Sequence, residues 1–396
     1  MKLTPYYLLS KLIVRRDKMS LKNVNWFNSI FLFMFHIVGG FFVVRYLVKY
    51  GIDLKLVGLG VAFYLLTGLS ITAGYHRLFA HRSYEAHPVL EIFYLLFGAA
   101  AFENSALNWC YDHRVHHRFV DKEHDPYNIN NGFWYAHMGW ILTNKKTTKE
   151  FPQYKRDLQK NKRVLWQDKN FLVIAVLMSF VLPALIGGLF GKAMGAFLIA
   201  GLGRIIVVHH ATFFINSLCH IWGKQTYTDE NSAKDNFVLA LFTYGEGFHN
   251  FHHLFHKDYR NGIKWFHFDP TKWLIKCASY FGLAKKLTVT PKRKILMAKM
   301  KMRQKLIEYK QYDKSIWLEQ LEPMIYKVDQ KFTHWMVLKE EYKKHYALMK
   351  KEKTELARYK LVEIKKDLYE AKLSYKAAYK NWKGYSRLLL TSKYAY

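Results

Sequence analysis

Four long apolar segments divide the first half of the chain. They cover residues 27–48, 56–74, 171–191 and 193–216. Each is close to the roughly 20 residues that a helix needs to cross a hydrocarbon core of about 30 Å. The connections are short, 49–55 in the first pair and Gly191-Lys192 in the second. Burial of four such segments inside a soluble protein is the alternative, but it would need a very large core. The pattern therefore predicts an all-α integral membrane protein with four transmembrane helices in two hairpins.

Two further segments are apolar but carry charge. The stretch 89–107 contains Glu91 and Glu103, and 262–285 mixes Trp, Phe and Lys. We expect the first to be a helix that lies partly in the membrane interface or against the bundle. The second is typical of an amphipathic interfacial element.

Basic residues precede the first span. They are Lys2, Lys11, Arg15, Arg16, Lys18 and Lys22, against the single acid Asp17. By the positive-inside rule the N-terminus is expected to be cytoplasmic. An even number of spans then places the C-terminus, the segment 75–170 and everything after residue 217 on the same side. We predict three parts: a basic N-terminus (1–26), a membrane domain (27–285) and a C-terminal tail (286–396).

The tail contributes much of the formal net charge of +31. Residues 291–396 hold 27 Lys+Arg and 12 Asp+Glu. The run 335–380 places Leu361, Ile364 and Leu368 at helical spacing, which predicts a helix. Two interpretations remain open: a solvated helical extension, or a basic arm that binds anionic lipid or an acidic protein. Nucleic-acid binding is not expected of such a membrane protein.

Histidines are concentrated in a few short motifs. GYHRLFAH contains His76 and His81, DHRVHH contains His113, His116 and His117, NSLCH contains His220, and GEGFHNFHH contains His249, His252 and His253. Positions i, i+3 and i+4 share one face of a helix, so each HxxHH group is predicted to direct three imidazoles at one point. Positions five apart differ by about 140°. The HxxxxH pair therefore implies two metals side by side or an unwound helix.

Neutral imidazole is a ligand suited to iron, zinc or copper. Nine histidines exceed what one ion accepts, so the pattern favours two ions. The zinc-protease motif HExxH is absent, and so is a pair of Glu-x-x-His motifs typical of carboxylate di-iron bundles. The three cysteines (Cys110, Cys219 and Cys277) show no CxxC spacing and predict neither disulfides nor a thiolate zinc site. A histidine-rich dinuclear iron site fits best, while a pH switch would not need repeated HxxHH groups.

Other histidines are expected to have structural roles. His36, His87 and His137 stand alone in the sequence. The pair His209-His210 falls inside the fourth span, more than two turns before His220, and is expected to pack or to form hydrogen bonds. These residues are therefore left out of the predicted ligand set.

The motifs HRLFAH, HRVHH and HNFHH, in that order with NSLCHIWG, GEGFHNFHH and DPYNINNGFWYAHMGWIL, resemble the membrane fatty acyl desaturases, in particular the stearoyl-CoA (delta-9) branch. The resemblance runs from about residue 25 to 285. It implies a mushroom-like fold of four spans with a cytosolic helical cap, which carries the di-iron site over a kinked acyl tunnel. It offers no counterpart for the basic tail.

Site residues follow from the resemblance position by position. The implied iron ligands are His76, His81, His113, His116, His117, His220, His249, His252 and His253, with Asn216 acting through a water. Glu103, Trp109 and Thr212 match positions near the tunnel bend, and Asn104 and Asp112 match further substrate-binding positions. His124 and His256 match no ligand position. Tyr111 stands where the family often has an Arg that holds the headgroup of the thioester carrier.

The implied reaction is oxygen-dependent desaturation of a saturated fatty acyl chain. The resemblance favours an acyl-CoA substrate and a delta-9 cis double bond. A phospholipid or carrier-protein acyl chain is an alternative, as are a di-iron hydroxylase and a non-catalytic lipid-sensing or metal-binding membrane protein. Two electrons must come from outside, from a ferredoxin- or cytochrome-type protein. No HPGG haem motif and no GxGxxG nucleotide motif occurs in the sequence.

Overall fold

The computed structural model describes residues 23–144, 150–310 and 315–391. These residues form two compact units. The first extends to Val289, and the second comprises the chain from Thr290 together with Thr226–Thr228. The basic residues between Lys2 and Lys22, which predicted a cytoplasmic N-terminus, lie outside the described residues.

The first unit is helical, as its apolar pattern predicts. Its helices are α1 (Trp26–Tyr50), α2 (Leu54–Ala80), α3 (Pro88–Ala99), α4 (Ala106–Phe119), α5 (Lys162–Lys169), α6 (Phe171–Gly188), α7 (Ala193–Ile221), α8 (Phe237–Phe242), α9 (His249–Leu254) and α10 (Pro270–Tyr280). Shorter helical turns cover Ile129–Asn131, Tyr135–Gly139, Trp140–Leu142, Pro152–Tyr154 and Leu158–Lys160. One small antiparallel ladder joins β1 (Glu85–Ala86) to β2 (Ala284–Lys285).

Helices α1, α2, α6 and α7 are long and apolar enough to cross a membrane. Large apolar side chains on them face outward; Phe27 is 81% exposed and Leu185 is 65% exposed. Such exposure suits a lipid environment, where apolar side chains cost nothing at the surface. The prediction of four spanning helices in two hairpins is confirmed.

The two hairpin connections lie next to each other. Asn25 caps α1 and Asp53 caps α2, while Gly51 reverses the chain between them with a φ of +74°. Lys192, in the connection between α6 and α7, forms an ion pair with Asp53. The histidine motifs sit at or beyond the opposite ends of α2 and α7. The hairpin turns and the histidines therefore occupy opposite ends of the helical bundle.

The cap packs tightly on the end of α2. Its buried core includes Tyr75, Tyr94, Cys110 and Ile275. Helix α3 begins where predicted, with His87 as its N-cap and Pro88 in its first turn. It ends at Ala99, so a continuous helix over 89–107 is wrong. Phe102 and Asn104 adopt positive φ values in the loop that follows, and Ser105 caps the next helix.

The segment 262–285 combines buried and exposed side chains, as its amphipathic composition predicts. Helix α10 begins at Pro270 behind the N-cap Asp269. Its residue Ile275 is buried in the core of the cap. Five large aromatic side chains of the segment remain exposed: Trp265, Phe266, Trp273, Tyr280 and Phe281.

The second unit contains α11 (Lys292–Lys310), α12 (Ser315–Glu352) and α13 (Glu355–Thr391). The chain reverses at Lys353, whose φ is +53°, so the predicted helical run 335–380 is broken into a hairpin. Trp335 stacks on Tyr375 across it. All three helices contribute to a buried cluster of Met300, Ile307, Leu321, Val328, Ala378, Trp382 and Leu389. The tail is thus helical, as predicted, and its helices pack around a core of their own.

Candidate metal centre

All nine histidines of the motifs come together in two groups. The first group is His76, His81, His113, His117 and His252, and the second is His116, His220, His249 and His253. Within each group the candidate ligand atoms lie within 4.8 Å of one another. The groups draw on α4, α7, α9 and the end of α2, so that His76 and His252, 176 positions apart in sequence, meet in one group.

Each HxxHH motif is divided between the two groups. In α4, His113 and His117 point into the first group and His116 into the second. In α9, His249 and His253 belong to the second group, whereas His252 belongs to the first. The expectation that each motif directs three imidazoles at one point is therefore wrong. Adjacent residues are about 100° apart on a helix, so neighbours such as His252 and His253 face different centres.

A local change in helix α2 brings the HxxxxH pair, His76 and His81, to one side. From Ser70 to Ala80, α2 widens into a π-helix, and the amide of His81 donates to the carbonyl of His76 at 3.0 Å. A bond from i to i+5 stacks residues five apart on one side. His76 and His81 therefore enter the same group. Of the two possibilities left by the sequence, the structure shows a loosened helix.

The imidazoles meet through their Nε2 atoms. The Nε2 of His252 lies 3.0 Å from that of His76 and 2.9 Å from that of His117. In the second group, the Nε2 of His249 lies 3.1 Å from that of His220 and 3.0 Å from that of His253. Several nitrogen lone pairs thus converge on each centre, as in a site that binds a cation.

Burial keeps these imidazoles neutral. It lowers the pKa of His113, His117, His249, His252 and His253 well below the usual value, and the neighbouring histidines lower it further. The pKa of His81 is depressed for the same reasons. A neutral imidazole offers a free lone pair, which is the form that binds a metal. The donor set and its protonation therefore fit metal binding.

Acidic residues support the histidines from behind. Asp125 accepts a hydrogen bond from Nδ1 of His116 at 2.7 Å. Nδ1 of His220 lies 2.7 Å from the hydroxyl of Ser232, which donates to Asp121 at 2.6 Å. Such partners fix the tautomer and leave Nε2 free for a metal.

Glu246 plays the corresponding part for His76. Its Oε2 lies 3.1 Å from Nδ1 of His76, and its other oxygen accepts from the buried Arg77 at 2.8 Å. Asn261 donates to Glu246, and Arg77 also pairs with the buried Asp269. Sequence reasoning did not single out Asp121, Asp125 or Glu246. Their closeness to the histidine motifs was the available signal.

The glycines around Glu246 allow this approach. Gly245 has a φ of +97°, and a Cβ there would lie 2.7 Å from the Cα of Asp269. A Cβ on Gly247 would overlap the backbone of Ala240. The GEG sequence thus lets Glu246 reach His76 while the loop packs against two other segments.

A cavity of about 570 Å³ opens onto both groups. Its wall includes His76 and His113 of the first group and His116 and His249 of the second. Every residue predicted from the resemblance to lie near substrate also lines it: Glu103, Asn104, Trp109, Asp112 and Thr212. Asn216, predicted to act on the metal through a water, lines it as well. Apolar side chains form much of the remainder, among them Phe31, Leu32, Ile71, Phe102 and Phe213. The cavity therefore combines an apolar channel with a histidine-lined wall.

Two acids and an indole mark one part of this wall. Indole Nε1 of Trp109 donates to Glu103 at 3.2 Å. Glu103 is half-buried at the cavity wall, and the surrounding protein raises its pKa to about 7. Burial likewise raises the pKa of Asp112 to about 7, although Lys155 opposes the shift. Both carboxyl groups can therefore carry a proton near neutral pH.

Tyr111 occupies the position at which the family often has an Arg. The hydroxyl of Tyr111 accepts a hydrogen bond from the amide of Phe151. Nζ of Lys155 lies 4.5 Å from the centre of the Tyr111 ring and donates to Asn108. A cation is thus present beside Asp112, supplied by a distant part of the chain.

The remaining histidines have partners of their own. His209 bonds the carbonyl of Ala101, and His137 lies within hydrogen-bond distance of His210 and Ser217. His36 bonds the carbonyl of Leu32. The ring of His256 lies 5.3 Å from that of His81 but belongs to neither group. His124 packs against Phe119 and Phe151.

Comparison with known proteins gives a consistent result. The family model "Fatty acid desaturase" matches residues 55–284. A "Probable acyl-CoA desaturase" of Schizosaccharomyces pombe is 45% identical over 249 residues, which is 63% of this chain and 52% of that protein. "Acyl-CoA desaturase 1" of Saccharomyces cerevisiae is 40% identical over 295 residues, 73% of this chain and 56% of that protein.

The match covers a larger share of a bacterial relative than of the two yeast proteins. The "sn-1 stearoyl-lipid 9-desaturase" of a Synechocystis strain is 34% identical over 238 residues, 60% of this chain and 73% of that protein. The chain spans about half the length of the two yeast relatives. The region matched by the family model carries all nine histidines, the acids behind them and most of the cavity wall. The chain belongs to the fatty acid desaturase family.

Proposed function

We propose that this protein is an oxidoreductase that desaturates a saturated fatty acyl chain with molecular oxygen. The observation that carries the proposal is the apolar cavity whose wall is formed in part by both histidine groups. A uniform hydrocarbon chain offers no polar handle at its reacting carbons. The protein must therefore select the reacting carbons by position, and a channel that passes a metal centre can do so.

Two iron ions are the proposed cofactors. The five-histidine group would hold one and the four-histidine group the other, with Asn216 acting on the latter through a water. When bound, the irons supply the oxygen activation needed to remove two hydrogens from an unactivated pair of methylenes. The residues around them do the rest. Asp125, Ser232 and Glu246 orient the imidazoles, and the apolar wall excludes water from the reacting carbons.

Acyl-CoA is the proposed substrate and the delta-9 position the proposed site of the cis double bond. The two yeast relatives are named acyl-CoA desaturases. Lys155 beside Asp112 offers the positive charge that a phosphorylated carrier requires. Glu103, Asn104, Trp109 and Thr212 would contact the acyl group along the cavity. An acyl chain on a phospholipid is the second candidate, favoured by Tyr111 in place of the Arg and by the bacterial relative named a stearoyl-lipid desaturase.

We further propose an arrangement in the cell. The N- and C-termini and the metal centre face the cytoplasm, in keeping with the basic residues before α1. An external ferredoxin- or cytochrome-type protein delivers the two electrons. The chain is organised as 1–26, 27–285 and 286–396, a division supported by the change of unit at Val289–Thr290.

The test is expression in a host that cannot make unsaturated fatty acids. A new monounsaturated fatty acid should appear, and mass spectrometry of its derivatives should place the double bond at carbon 9. Purified protein should contain two irons per chain. Recovery of a hydroxy acid would instead assign the hydroxylase alternative, and two bound irons with no new lipid would favour a binding protein.

A further inference from the structure

Helix α13 of the second unit presents a regular row of residues on its outer side. The row is Val362, Lys366, Tyr369, Leu373, Lys376, Lys380 and Lys383. Successive members are four or three residues apart, which keeps them on one face of the helix. All seven are exposed. The core of the unit takes the opposite face, through Ala371, Ala378, Trp382 and Leu389.

The row combines exposed apolar side chains with lysines. Val362, Tyr369 and Leu373 are 67%, 62% and 47% exposed. They lie opposite the core of the unit, so packing within the unit does not explain their apolar character. Four lysines alternate with them or follow them. Glu363, Asp367 and Glu370 lie off this face, and Glu355 lies on it two turns before Val362. No acid occurs from Ala371 to Thr391. An apolar row framed by lysines is typical of a helix that lies in a membrane interface.

We propose that this face of α13 binds the surface of an anionic lipid bilayer. Lysines attract acidic headgroups, each strengthening binding by roughly fivefold near such a surface. Val362, Tyr369 and Leu373 enter the boundary between headgroups and acyl chains, where tyrosine is favoured because one end of it is apolar and the other polar. An acidic soluble protein would satisfy the lysines, but it would leave the exposed apolar side chains without an explanation.

The connection to the first unit strengthens the argument. Thr290 follows Val289 directly, and the unit before it holds four helices that cross a membrane. A tethered helix meets the bilayer at a high effective concentration, so even a modest intrinsic affinity produces binding. The face therefore gives the protein a second, charge-dependent attachment to its own membrane.

A fluorophore in the row provides the test. Cys277 is the exposed cysteine, whereas Cys110 and Cys219 are buried. Leu373→Cys in a Cys277→Ser background would carry an environment-sensitive label. The full chain would be placed in nanodiscs of phosphatidylcholine alone, or of equal parts phosphatidylcholine and phosphatidylglycerol, with a nitroxide-bearing lipid as quencher. We expect a blue shift and strong quenching in the anionic discs, weak quenching in the neutral discs, and loss of the effect in high salt.

Matched charge reversals separate the face from the overall charge. The variant Lys376→Glu, Lys380→Glu, Lys383→Glu should raise at least tenfold the concentration of anionic lipid that gives half-maximal quenching. The control Lys327→Glu, Lys344→Glu, Lys351→Glu changes three exposed lysines of α12 and should leave this concentration within about twofold of the wild type. Circular dichroism should show equal helix content in both variants.

Three results would overturn the proposal. Equal quenching in neutral and anionic discs would show that the charge has no role. A shift of the label without quenching, together with crosslinks between chains, would assign the face to a second copy of the protein. Equal loss in both variants would show only a general effect of net charge. Because no outcome depends on desaturation, the test is independent of the proposed reaction.

Discussion

Neighbouring histidines in this protein serve different centres. His252 contributes to the five-histidine group and His253 to the four-histidine group. His256, three residues further along and beyond the end of α9, contributes to neither. His252 and His253 are thus separated by their angles around a short helix, whereas His256 lies outside that helix.

This distinction gives a direct prediction for metal content. His252→Ala removes an imidazole whose Nε2 lies within 3.0 Å of two others, and we expect loss of bound iron and of product. His256→Ala should retain both, because its ring lies outside the groups. Iron would be measured per chain by atomic absorption. Equal losses in the two variants would contradict the division of the site described above.

A second prediction concerns the acids behind the ligands. Asp125→Asn keeps the shape of the side chain but removes the charge that accepts from His116. Substitution of such partners costs roughly 10- to 100-fold in metal affinity. Iron retention would be followed against a competing chelator. Glu91→Gln is the control, since Glu91 pairs with Arg163 away from the site. Unchanged retention in Asp125→Asn would show that this carboxylate has no role in binding.

At the scale of elements, glycines decide how closely α2 and its neighbours approach. A Cβ on Gly68 would overlap the ring of Tyr244, and both residues line the cavity. The Tyr244 hydroxyl donates to the carbonyl of Tyr64 at 2.9 Å, which holds the ring across α2. The loop before α9 therefore supplies a wall of the cavity that α2 alone does not.

Removal of this ring should change which acyl chains are used. Tyr244→Ala opens space beside Gly68, so we expect a shift toward longer acyl substrates, with the metal content unchanged. Product profiles would be compared by gas chromatography for acyl chains of different length. Phe242→Ala, at a largely exposed position nearby, is the control. An unchanged profile in Tyr244→Ala would mean that the ring does not limit the cavity that holds the acyl chain.

At the scale of the whole molecule, stability should depend on pH through Glu103. Its pKa is raised from 4.5 to about 7 in the folded protein, so the folded state holds this proton more tightly than the unfolded chain. The resulting stabilisation is complete below pH 4.5 and is lost as the pH rises to about 7. Glu103→Gln stays neutral throughout. Its thermal midpoint should therefore fall less than that of the wild type across this interval, as measured by thermal unfolding in detergent. Parallel curves would contradict the raised pKa.

The sequence alone determined the four spans and the nine histidines that come together. Both depend on local information: the length of an apolar run, and the spacing of residues along a few turns. The family motifs added Asn216 and five further residues, all of which line the cavity in the structure: Glu103, Asn104, Trp109, Asp112 and Thr212. These residues could be predicted because the motifs that contain them are short and continuous in sequence.

Only the tertiary structure decided how those residues are shared and supported. The π-helix at Ser70–Ala80, the division of each HxxHH motif, and the approach of Asp125, Ser232 and Glu246 all depend on packing between distant segments. The tail is a further case, since helical periodicity does not show that the chain reverses at Lys353 and buries a core. Spacing along a helix fixes the angles between side chains. The neighbouring helices and loops decide what each side chain contacts, because they bury it and supply its hydrogen-bond partners.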